Sequence, residues 1–501
     1  MKQLKSTVLQ GEDKQRYEDL LEAPVTVLQI GEGNFLRGFF DWMIGECRRQ
    51  KLFAGSIAVV QPRPSGKDLL EQLAAQDGLY TLIIRGLENG ASVARKEVVT
   101  VFSQAFDPYT DWERLTELAV SPELAFVVSN TTEAGLVYKA EPLGQGPILS
   151  FPGKIAYILY LRYQAYQGSA EHGLIFLPCE LLEHNGDVLR EAVLQYAEDW
   201  NLPQAFREWV KLHNRFLNSL VDRIVTGYPE EAQAETWFRE WGVRDVLLCT
   251  AEPYHLWAIE GEPELEELLP FRKAGLNVHW TNDLKPFRER KVRLLNGAHT
   301  WMAPLGLIHG VDHVRELLEH GELGRRVREV AVDEIIPTLP YSADELRSYT
   351  GEVFDRFANP YISHRLSDIA MNSLSKFRVR LLPSLTYYME QDMPIPEQLV
   401  LGLAGLLRYY RVKPAEDGAY TGISLVQQAY TVRDDASALK IMAEIWDLVE
   451  SAGATMEDIA GRLLDEEKLW GRSLKGWKGL SREVAIWFMR WEREPVMETV
   501  G

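Results

Sequence analysis

The residues best suited to chemistry lie in one short stretch, Lys291 to His299, which reads Lys-Val-Arg-Leu-Leu-Asn-Gly-Ala-His. If this stretch is helical, Lys291, His299 and Asn296 project at about 0°, 80° and 140° around the helix axis. One face would then carry an amine, an imidazole and an amide, a set of groups able to act on a ketone or an alcohol. The spacing is therefore compatible with a proton-transfer site on this face.

Four further cations flank this stretch and make it the densest local group of positive charge in the chain: Lys285, Arg288, Arg290 and Arg293. A basic run is more commonly a solvated helix face, and from this segment alone that interpretation is the favoured one. The functional interpretation needs support from the elements that would position these side chains.

Length and composition set the outer bounds for those elements. A chain of 501 residues is too long for one core, so two or three domains are expected. The net charge of -19 argues against nucleic acid or an anionic membrane surface as a partner, because neither polyanion gains from meeting an acidic protein. An anionic small substrate stays possible, since it needs only a local basic pocket.

Cysteine usage and the N-terminus predict the cellular compartment. Cys47, Cys179 and Cys249 are widely spaced and form no Cys-x-x-Cys pair, which is typical of a reducing compartment. The polar N-terminus lacks the apolar core of a signal peptide, and no apolar run approaches the length of a membrane span. These features predict a cytoplasmic protein.

The first strong structural element is the apolar run Val25 to Ile30, which leads into the turn Gly31-Glu-Gly-Asn-Phe-Leu-Arg37. A strand followed by a glycine-rich turn and an apolar-periodic helix is the layout that aims backbone N–H groups at a pyrophosphate. Two glycines near a turn are weak evidence alone. Their position between a strand and a helix at the start of the chain strengthens the prediction of a dinucleotide site.

Further strands are predicted at Ser56 to Val60, Leu79 to Ile84, Leu124 to Val128 and Gly173 to Pro178, with helical patterns such as Asp111 to Ala119 between them. Strands that alternate with helices predict a parallel, doubly wound sheet. The second strand runs into Gln61-Pro62-Arg63 and has no acid at its tip. Choice between NAD and NADP therefore cannot be derived from that position.

Polar residues follow two of these strands. The segment Ser129-Asn-Thr-Thr-Glu-Ala-Gly135 either binds a ligand or begins a helix with Ser129 or Thr132 as its N-cap, and the two interpretations weigh equally. Glu180 follows the next strand and is either a carboxylate of the site or an ordinary surface acid, with the surface role favoured. Asn185-Gly-Asp187 is predicted to be a turn.

Asp222 and Arg223 stand side by side inside an apolar stretch. Burial of such a pair is costly without partners, so the pair is either a buried salt-bridge element or part of a site, with the structural role favoured. Beyond Arg293 long helical patterns take over, for example Glu397 to Tyr410 and Ala436 to Ser451, which predicts a mostly α second half. Lys376 lies in one such helix and is by default a surface lysine.

Three motifs together become specific: Gly31-Glu-Gly-Asn-Phe-Leu-Arg37, Val221-Asp-Arg-Ile224 and Lys291-x4-Asn-Gly-x-His299. Their combination resembles the mannitol dehydrogenase family, the polyol-specific long-chain dehydrogenases, and the resemblance spans nearly the whole chain. It implies an α/β fold with an N-terminal Rossmann-like, NAD-binding doubly wound sheet in residues 1–284. A mostly α-helical substrate and catalytic domain follows in residues 285–501.

The resemblance also implies roles for individual residues. Lys291 matches the general acid and base that replaces the metal or tyrosine of other dehydrogenases, Asn296 an amide that polarises the carbonyl, and His299 a substrate-positioning residue. The expected substrate-binding residues are Asp222, Arg223, Lys376 and Glu180. The expected cofactor-binding residues are Ile30, Gly31, Glu32, Gly33, Asn34, Phe35, Arg37, Thr132 and Glu133.

Two departures from the polyol members concern the substrate. Glu180-Leu181 stands where those members carry an Asp-Asn pair, and Arg288 stands where they carry a glutamate. Both changes are compatible with a sugar acid in place of a neutral polyol. We therefore expect NADH-dependent, metal-free and reversible reduction of the ketone of a hexulosonate. Arg288, Arg293 or Lys376 would hold the substrate carboxylate.

Three alternatives stay open on sequence. The same chemistry could act on another stereoisomer or on a neutral polyol, since epimers that differ at one hydroxyl are not separable from residue patterns. The chain could be a non-catalytic dinucleotide sensor built on a dehydrogenase scaffold, although the intact set of Lys291, Asn296 and His299 argues against this. A metal-dependent isomerase or lyase acting on sugar acids is the third.

Overall fold

The computed structural model describes residues 1–144, 146–416 and 418–493. Its contacts divide the chain into two compact units, which are described separately. The first unit comprises Met1–Arg85 and Ser92–Lys285, and the second comprises Gly86–Ala91 and the chain from Pro286 onward. In the part of the chain so described, no helix has both the length and the apolar character needed to cross a membrane.

The first unit contains strands and helices in alternation. Its strands are β1 Lys2–Gln3, β2 Val25–Ile30, β3 Ser56–Val60, β4 Tyr80–Glu88, β5 Ala91–Val99, β6 Phe102–Phe106, β7 Phe126–Ser129, β8 Ile175–Pro178, β9 Arg215–Phe216, β10 Ser219–Asp222, β11 Val225–Gly227, β12 Val243–Arg244, β13 Cys249–Ala251, β14 Leu256–Glu260 and β15 Val278–Thr281. Its helices are α1 Gly11–Leu21, α2 Asn34–Arg37, α3 Phe40–Arg49, α4 Lys67–Ala75, α5 Trp112–Ala119, α6 Phe151–Ala165, α7 Asn185–Asp199, α8 Gln204–His213 and α9 Glu231–Trp241.

A six-stranded sheet forms the centre of this unit, with strand order β6-β3-β2-β7-β8-β9. All neighbouring strands run parallel. Val27 and Val128 belong to one hydrophobic core, and the adjacent Leu28 and Val127 belong to another. Both faces of the sheet are therefore covered, as a parallel sheet requires, and the predicted doubly wound architecture is confirmed.

One local prediction for this unit was confirmed only in part, and a second was wrong. The strand predicted at Leu79 to Ile84 exists as β4, but it lies in a separate four-stranded sheet of order β11-β13-β4-β5, where it pairs with β13. An apolar run marks a buried strand without stating its partner. Asn185-Gly-Asp187 is the first turn of α7, because Gly186 permits close packing: a Cβ there would lie 2.6 Å from the carbonyl carbon of Leu217.

The second unit is mostly helical. Its helices are α10 Lys285–Arg290, α11 Asn296–Ile308, α12 Val314–Glu319, α13 Gly321–Glu329, α14 Ala343–Phe357, α15 Leu366–Ile369, α16 Ser373–Arg380, α17 Leu382–Glu390, α18 Glu397–Tyr409, α19 Ala436–Ser451, α20 Met456–Asp465, α21 Glu467–Trp470 and α22 Leu480–Arg493. A small antiparallel sheet joins β16 Val412–Pro414, β17 Tyr420–Ile423 and β18 Ala429–Val432. The predicted α character of this half is confirmed.

Helix α11, which begins at Asn296, is held firmly against α18. The indole Nε1 of Trp301 donates a hydrogen bond to the carbonyl oxygen of Gln398 at 2.7 Å. A Cβ at Gly402 would lie 2.4 Å from Cδ1 of Trp301, so the approach of these helices requires glycine at that position. A helix packed this tightly is a rigid support for the side chains at its N-terminal end.

Candidate active site

The glycine-rich turn after β2 presents open backbone. Gly31 has φ +125, a conformation that L side chains rarely adopt, and its N–H donates to the carbonyl oxygen of Val60 at 2.9 Å. Gly33 is exposed, and a Cβ placed on it would have no atom within 4 Å. The turn is thus fixed at its first glycine and accessible at its second, an arrangement that fits the close approach of a pyrophosphate.

The side chains that follow this turn mainly hold it in place. Arg37 is buried, and its guanidinium donates to the carbonyl oxygen of Leu247 and to Oδ1 of Asn34. Phe35 stacks on Phe39 with ring centroids 4.9 Å apart. These contacts lock the predicted cofactor residues Asn34, Phe35 and Arg37 to the body of the first unit.

Glu180 lies at the end of β8 and is not the surface acid that was favoured, because it is only 2% exposed. Its Oε1 accepts hydrogen bonds from the N–H and the hydroxyl of Thr131 at 2.9 and 3.0 Å, and its Oε2 accepts one from the Ser129 hydroxyl at 3.1 Å. Burial raises the pKa of Glu180, whereas these donors act in the opposite direction. The carboxylate therefore shapes the loop that follows β7.

That loop does not start with a helix N-cap of the predicted kind. Thr132 has φ +87, and its side chain makes no capping hydrogen bond to the short 3-10 helix Glu133–Gly135. Glu133 is exposed. Backbone strain at a non-glycine residue is commonly retained where a loop contacts a ligand, so the conformation of Thr132 favours ligand binding over the N-cap interpretation of this segment.

Asp222 and Arg223 are both buried, at the end of β10 and just after it. The Arg223 guanidinium donates to the carbonyl oxygens of Glu252 and Gly38 at 2.9 and 2.7 Å, and lies 4.1 Å from the ring centroid of Trp42. Burial lowers the pKa of Arg223 to about 10. This arginine joins the strands of the small sheets to α3.

In the second unit, the chain is helical from Lys285 to Ile308 but changes type at the predicted catalytic stretch. Lys291–Leu295 is a π-helical turn, in which the N–H of Asn296 donates to the carbonyl oxygen of Lys291. An i to i+5 bond stacks Asn296 over Lys291 much as an i to i+4 bond stacks residues in an α-helix. The assumption of a constant 100° per residue was therefore wrong here, and the π turn brings the amine and amide closer in angle. Such turns are frequent at functional sites.

His299 follows Asn296 by three residues and so lies beside it on α11. Its ring centroid is 4.4 Å from that of Phe357 and 5.6 Å from that of His364. Nε2 of His299 is buried and has no hydrogen-bond partner among the described residues. Burial, and then the neighbouring cations, lower the pKa of His299 to about 3. The ring is therefore neutral near pH 7.

Four groups surround His299 and disfavour its protonated form: Arg356, His364, Lys376 and Arg380, here termed the basic cluster. Nη1 of Arg380 donates to Oγ1 of Thr300 at 3.1 Å, which ties α16 to α11. Lys376 is half-buried, and its Nζ donates to the carbonyl oxygen of Ile369 at 2.8 Å, so it is not an ordinary surface lysine. Burial lowers the pKa of both Lys376 and Arg380. The cluster favours an anionic ligand.

Sequence reasoning named only one member of the basic cluster, Lys376. Arg380 follows it by four residues, the spacing that places two side chains on one helix face, so this neighbour was recognisable. Arg293, predicted to hold a carboxylate, instead donates from Nε to the carbonyl oxygen of Arg380 at 2.9 Å and from Nη2 to the Ser384 hydroxyl. Arg288 is half-buried on α10.

A histidine pair with metal-ligand spacing, His309 and His313, follows α11. Nδ1 of His309 lies 2.7 Å from the carbonyl oxygen of Leu305, and Gly310 between the two histidines has φ +77, so they are not on one helix face. Across residues 1–144, 146–416 and 418–493, no group of three or more His, Cys, Asp and Glu side chains is arranged to hold a metal ion.

Comparison with solved structures agrees with this architecture. The substrate-free crystal structure of D-sorbitol dehydrogenase superposes with a TM-score of 0.74 at 22% identity, covering 94% of both chains. The ternary complex of Pseudomonas fluorescens mannitol 2-dehydrogenase with NAD and D-mannitol superposes with a TM-score of 0.60 at 22% identity, covering 95% of this chain and 93% of that one. At this identity the two structures establish the fold alone.

Sequence comparison is more specific. The altronate oxidoreductase of Bacillus subtilis is 42% identical over 96% of this chain and 95% of its own length. The altronate oxidoreductase of Yersinia enterocolitica is 38% identical over 92% of this chain and 93% of its own length. The mannitol dehydrogenase Rossmann domain matches residues 25–272, and the mannitol dehydrogenase C-terminal domain matches residues 283–486. Together with the glycine turn and the Lys291 stretch, these matches establish that the chain belongs to the mannitol dehydrogenase family.

Proposed function

We propose that this protein is an NAD(H)-dependent altronate oxidoreductase, which reduces D-tagaturonate to D-altronate reversibly in the catabolism of hexuronates. The observation that carries the proposal is the buried, unpartnered Nε2 of the half-buried His299, which lies three residues after Asn296 on α11 and next to the basic cluster. A polyhydroxy acid offers both the hydroxyls and the carboxylate that such a site recognises. Relatives that align over nearly the whole chain carry the same name.

The turn after β2 fits a nicotinamide dinucleotide. Ile30, Gly31 and Gly33 would approach the pyrophosphate, because no side chain fills the space above Gly33. The loop that includes Thr132 and Glu133 is held open by Glu180 and would contact the same molecule. When bound, the nicotinamide ring supplies the hydride for ketone reduction or takes it up in the reverse direction.

The Lys291 ammonium is the proton donor in this proposal. It gives its proton to the ketone oxygen as negative charge develops there, and it takes a proton from the alcohol of altronate in the reverse direction. Solvent restores its protonation state between turnovers. The Asn296 amide, stacked over Lys291 by the π turn, donates a hydrogen bond to the same oxygen and stabilises its developing charge.

The basic cluster would recognise the acid group and hydroxyls of the substrate. Arg356 and Arg380 offer the planar fork of donors that suits a carboxylate, and Lys376 adds a third cation. Neutral His299 retains one ring nitrogen, Nε2, for a substrate hydroxyl. In this proposal the basic cluster, and not Arg293, holds the substrate carboxylate, because the Arg293 guanidinium already donates hydrogen bonds to the carbonyl oxygen of Arg380 and the hydroxyl of Ser384.

Two rival functions remain to be separated by experiment. The same residues could reduce the epimer D-fructuronate or a neutral ketose such as D-fructose. A non-catalytic dinucleotide sensor would bind NADH without turnover. The basic cluster favours an acid over a neutral ketose, and the presence of a lysine and an amide on one helix turn favours an enzyme over a sensor.

The test is NADH oxidation followed at 340 nm with D-tagaturonate, D-fructuronate and D-fructose, each with a chelator present. We expect kcat/KM for tagaturonate to exceed that for fructose by at least about 100-fold, the value of one charge-assisted contact or more. If fructuronate is turned over as fast as tagaturonate or faster, the proposed substrate would be fructuronate, the epimer, and not tagaturonate. Absence of turnover with all three ketones, despite NADH binding, would leave the sensor.

A further inference from the structure

The carboxylate of Glu32, in the glycine-rich turn, lies beside the segment that follows β3. A Cβ built on Gly66 would lie 2.5 Å from Oε1 of Glu32 and 3.0 Å from Cβ of Gln61. Glu32 thus extends sideways from β2 to the segment that follows the neighbouring strand, and its carboxylate lies against Gly66. Glu32 is 9% exposed, and its Oε2 has no hydrogen-bond partner in the described ranges.

This is the place where a doubly wound sheet ordinarily carries a different acid. A carboxylate at the end of the second strand accepts hydrogen bonds from the adenosine ribose, and it follows the glycine turn by about 20 residues. Here the second strand, β3, ends at Val60 and is followed by Gln61. Nε2 of Gln61 donates to Oδ1 of Asp107 at 3.1 Å, so the donor end of its amide is committed to the protein, and its Oε1 is a neutral acceptor without a partner among the described residues.

The charges around Glu32 leave it in need of donors. Burial raises the pKa of Glu32, and its own backbone N–H together with Arg37 and Arg63 acts in the opposite direction. Arg37 is directed to Leu247 and Asn34, and Arg63 is exposed to solvent. A buried carboxylate with an unpartnered oxygen is costly, and vicinal hydroxyls are donors that would satisfy it.

We propose that Glu32 accepts hydrogen bonds from the adenosine ribose hydroxyls of the bound dinucleotide and thereby selects NAD(H) over NADP(H). The acid comes from the glycine turn itself, which explains why none stands at the tip of β3. A 2′-phosphate would bring two further negative charges against this carboxylate. The inference rests on the proposed function for the presence of a dinucleotide and adds its specificity.

The test is equilibrium binding of NADH and NADPH to the apoenzyme by calorimetry, with kcat/KM for both as a second readout. We expect the wild-type protein to bind NADH about 100-fold more tightly than NADPH, as like-charge juxtaposition costs several kcal/mol. Glu32→Gln keeps the shape and removes the charge, so the preference should fall at least tenfold, mainly through tighter binding of NADPH. Glu22→Gln removes the same charge from the exposed end of α1 and should leave the ratio unchanged.

An unchanged ratio in Glu32→Gln would overturn the inference, as would equal affinity of the wild-type protein for both dinucleotides. If the wild-type protein binds NADH and NADPH equally and Arg63→Ala weakens the binding of NADPH, Arg63 would instead be assigned to the 2′-phosphate. If Glu32→Gln does not fold, Gly66→Ala displaces the carboxylate and should weaken NADH binding about tenfold while sparing NADPH. Because binding needs no ketone, failure of tagaturonate turnover is distinguishable from failure of this inference.

Discussion

Glu180 in the first unit and His299 in the second each place a polar atom in the protein interior near a predicted ligand site, yet their surroundings differ. Both oxygens of Glu180 accept hydrogen bonds, which come from Ser129 and Thr131. Nε2 of His299 is buried without a hydrogen-bond partner in the described part of the chain, and the positive charges of Arg356, Lys376 and Arg380 act on the ring. The protein itself supplies hydrogen bonds to both oxygens of Glu180, whereas it leaves Nε2 of His299 without one among the described residues.

The difference separates residues that build a site from residues that meet a ligand. A carboxylate whose oxygens already accept hydrogen bonds from the protein adds rigidity, because its removal would leave several donors without an acceptor. An imidazole near cations with an unpartnered ring nitrogen lowers the stability of the fold. Such a group is commonly retained where ligand binding compensates for that loss. Both residues were predicted to contact substrate on sequence grounds, and from this difference we propose that role for His299 and a supporting role for Glu180.

Lys291→Ala provides the largest expected effect and tests the ligand-facing side of the comparison. Loss of a positioned proton donor should lower kcat about 10³-fold, within the range known for general acid catalysis, with little change in melting temperature. Steady-state kinetics across pH would measure it. Lys468→Ala, which removes an exposed lysine of α21, is the matched control. Near-normal turnover with an unchanged pH profile would exclude Lys291 as the acid and base.

Glu180→Ala tests the supporting side. The N–H of Thr131 and the hydroxyls of Ser129 and Thr131 would lose their acceptor, so the free energy of unfolding should fall by about 3 kcal/mol. Glu180→Gln keeps part of this acceptor capacity and should lose less. Urea unfolding followed by tryptophan fluorescence measures both. Glu198→Gln, on the exposed face of α7, should change little, and a comparably small loss in Glu180→Ala would contradict the supporting role.

Arg380→Met sharpens the role of the basic cluster. Removal of one charge-assisted contact should raise KM for tagaturonate about 10- to 100-fold with a smaller change in kcat. Inhibition by a neutral polyol should be nearly unaffected, which separates carboxylate recognition from a general disturbance of α16. Arg482→Met on α22 serves as the control for loss of an exposed arginine. A parallel loss of affinity for acid and neutral ligands would assign Arg380 a purely structural role.

The protonation of His299 gives the smallest effect. Its pKa is about 3 in the folded protein, below the unfolded value near 6.5, so the unfolded state binds more protons in this window. Stability due to the neutral ring is complete above pH 6.5 and is lost progressively as pH falls toward 3. Between pH 7.5 and 5.0, His299→Asn should lose about 2 kcal/mol less unfolding free energy than the wild-type protein. An equal slope in His299→Asn and in the wild-type protein would contradict the neutral ring.

Much of this molecule was predictable from its sequence. The apolar strand before Gly31, the alternation of strands with helices, and the helical second half all depend on residues within a few positions of one another, so local patterns report them. The set of Lys291, Asn296 and His299 is local in the same sense. The resemblance to the family rested on short motifs of this kind, each of which lies within one continuous stretch of the chain.

Other features depended on the tertiary structure. The bond from Thr131 to Glu180 joins residues 49 apart, and that from Arg380 to Thr300 joins residues 80 apart. Strand β4 pairs with β13 through residues still farther apart, such as Leu82 and Cys249, and the π turn after Arg290 has no recognised residue signature. Local propensity cannot encode such contacts, because burial, desolvation and the supply of hydrogen-bond partners arise only when remote segments pack together.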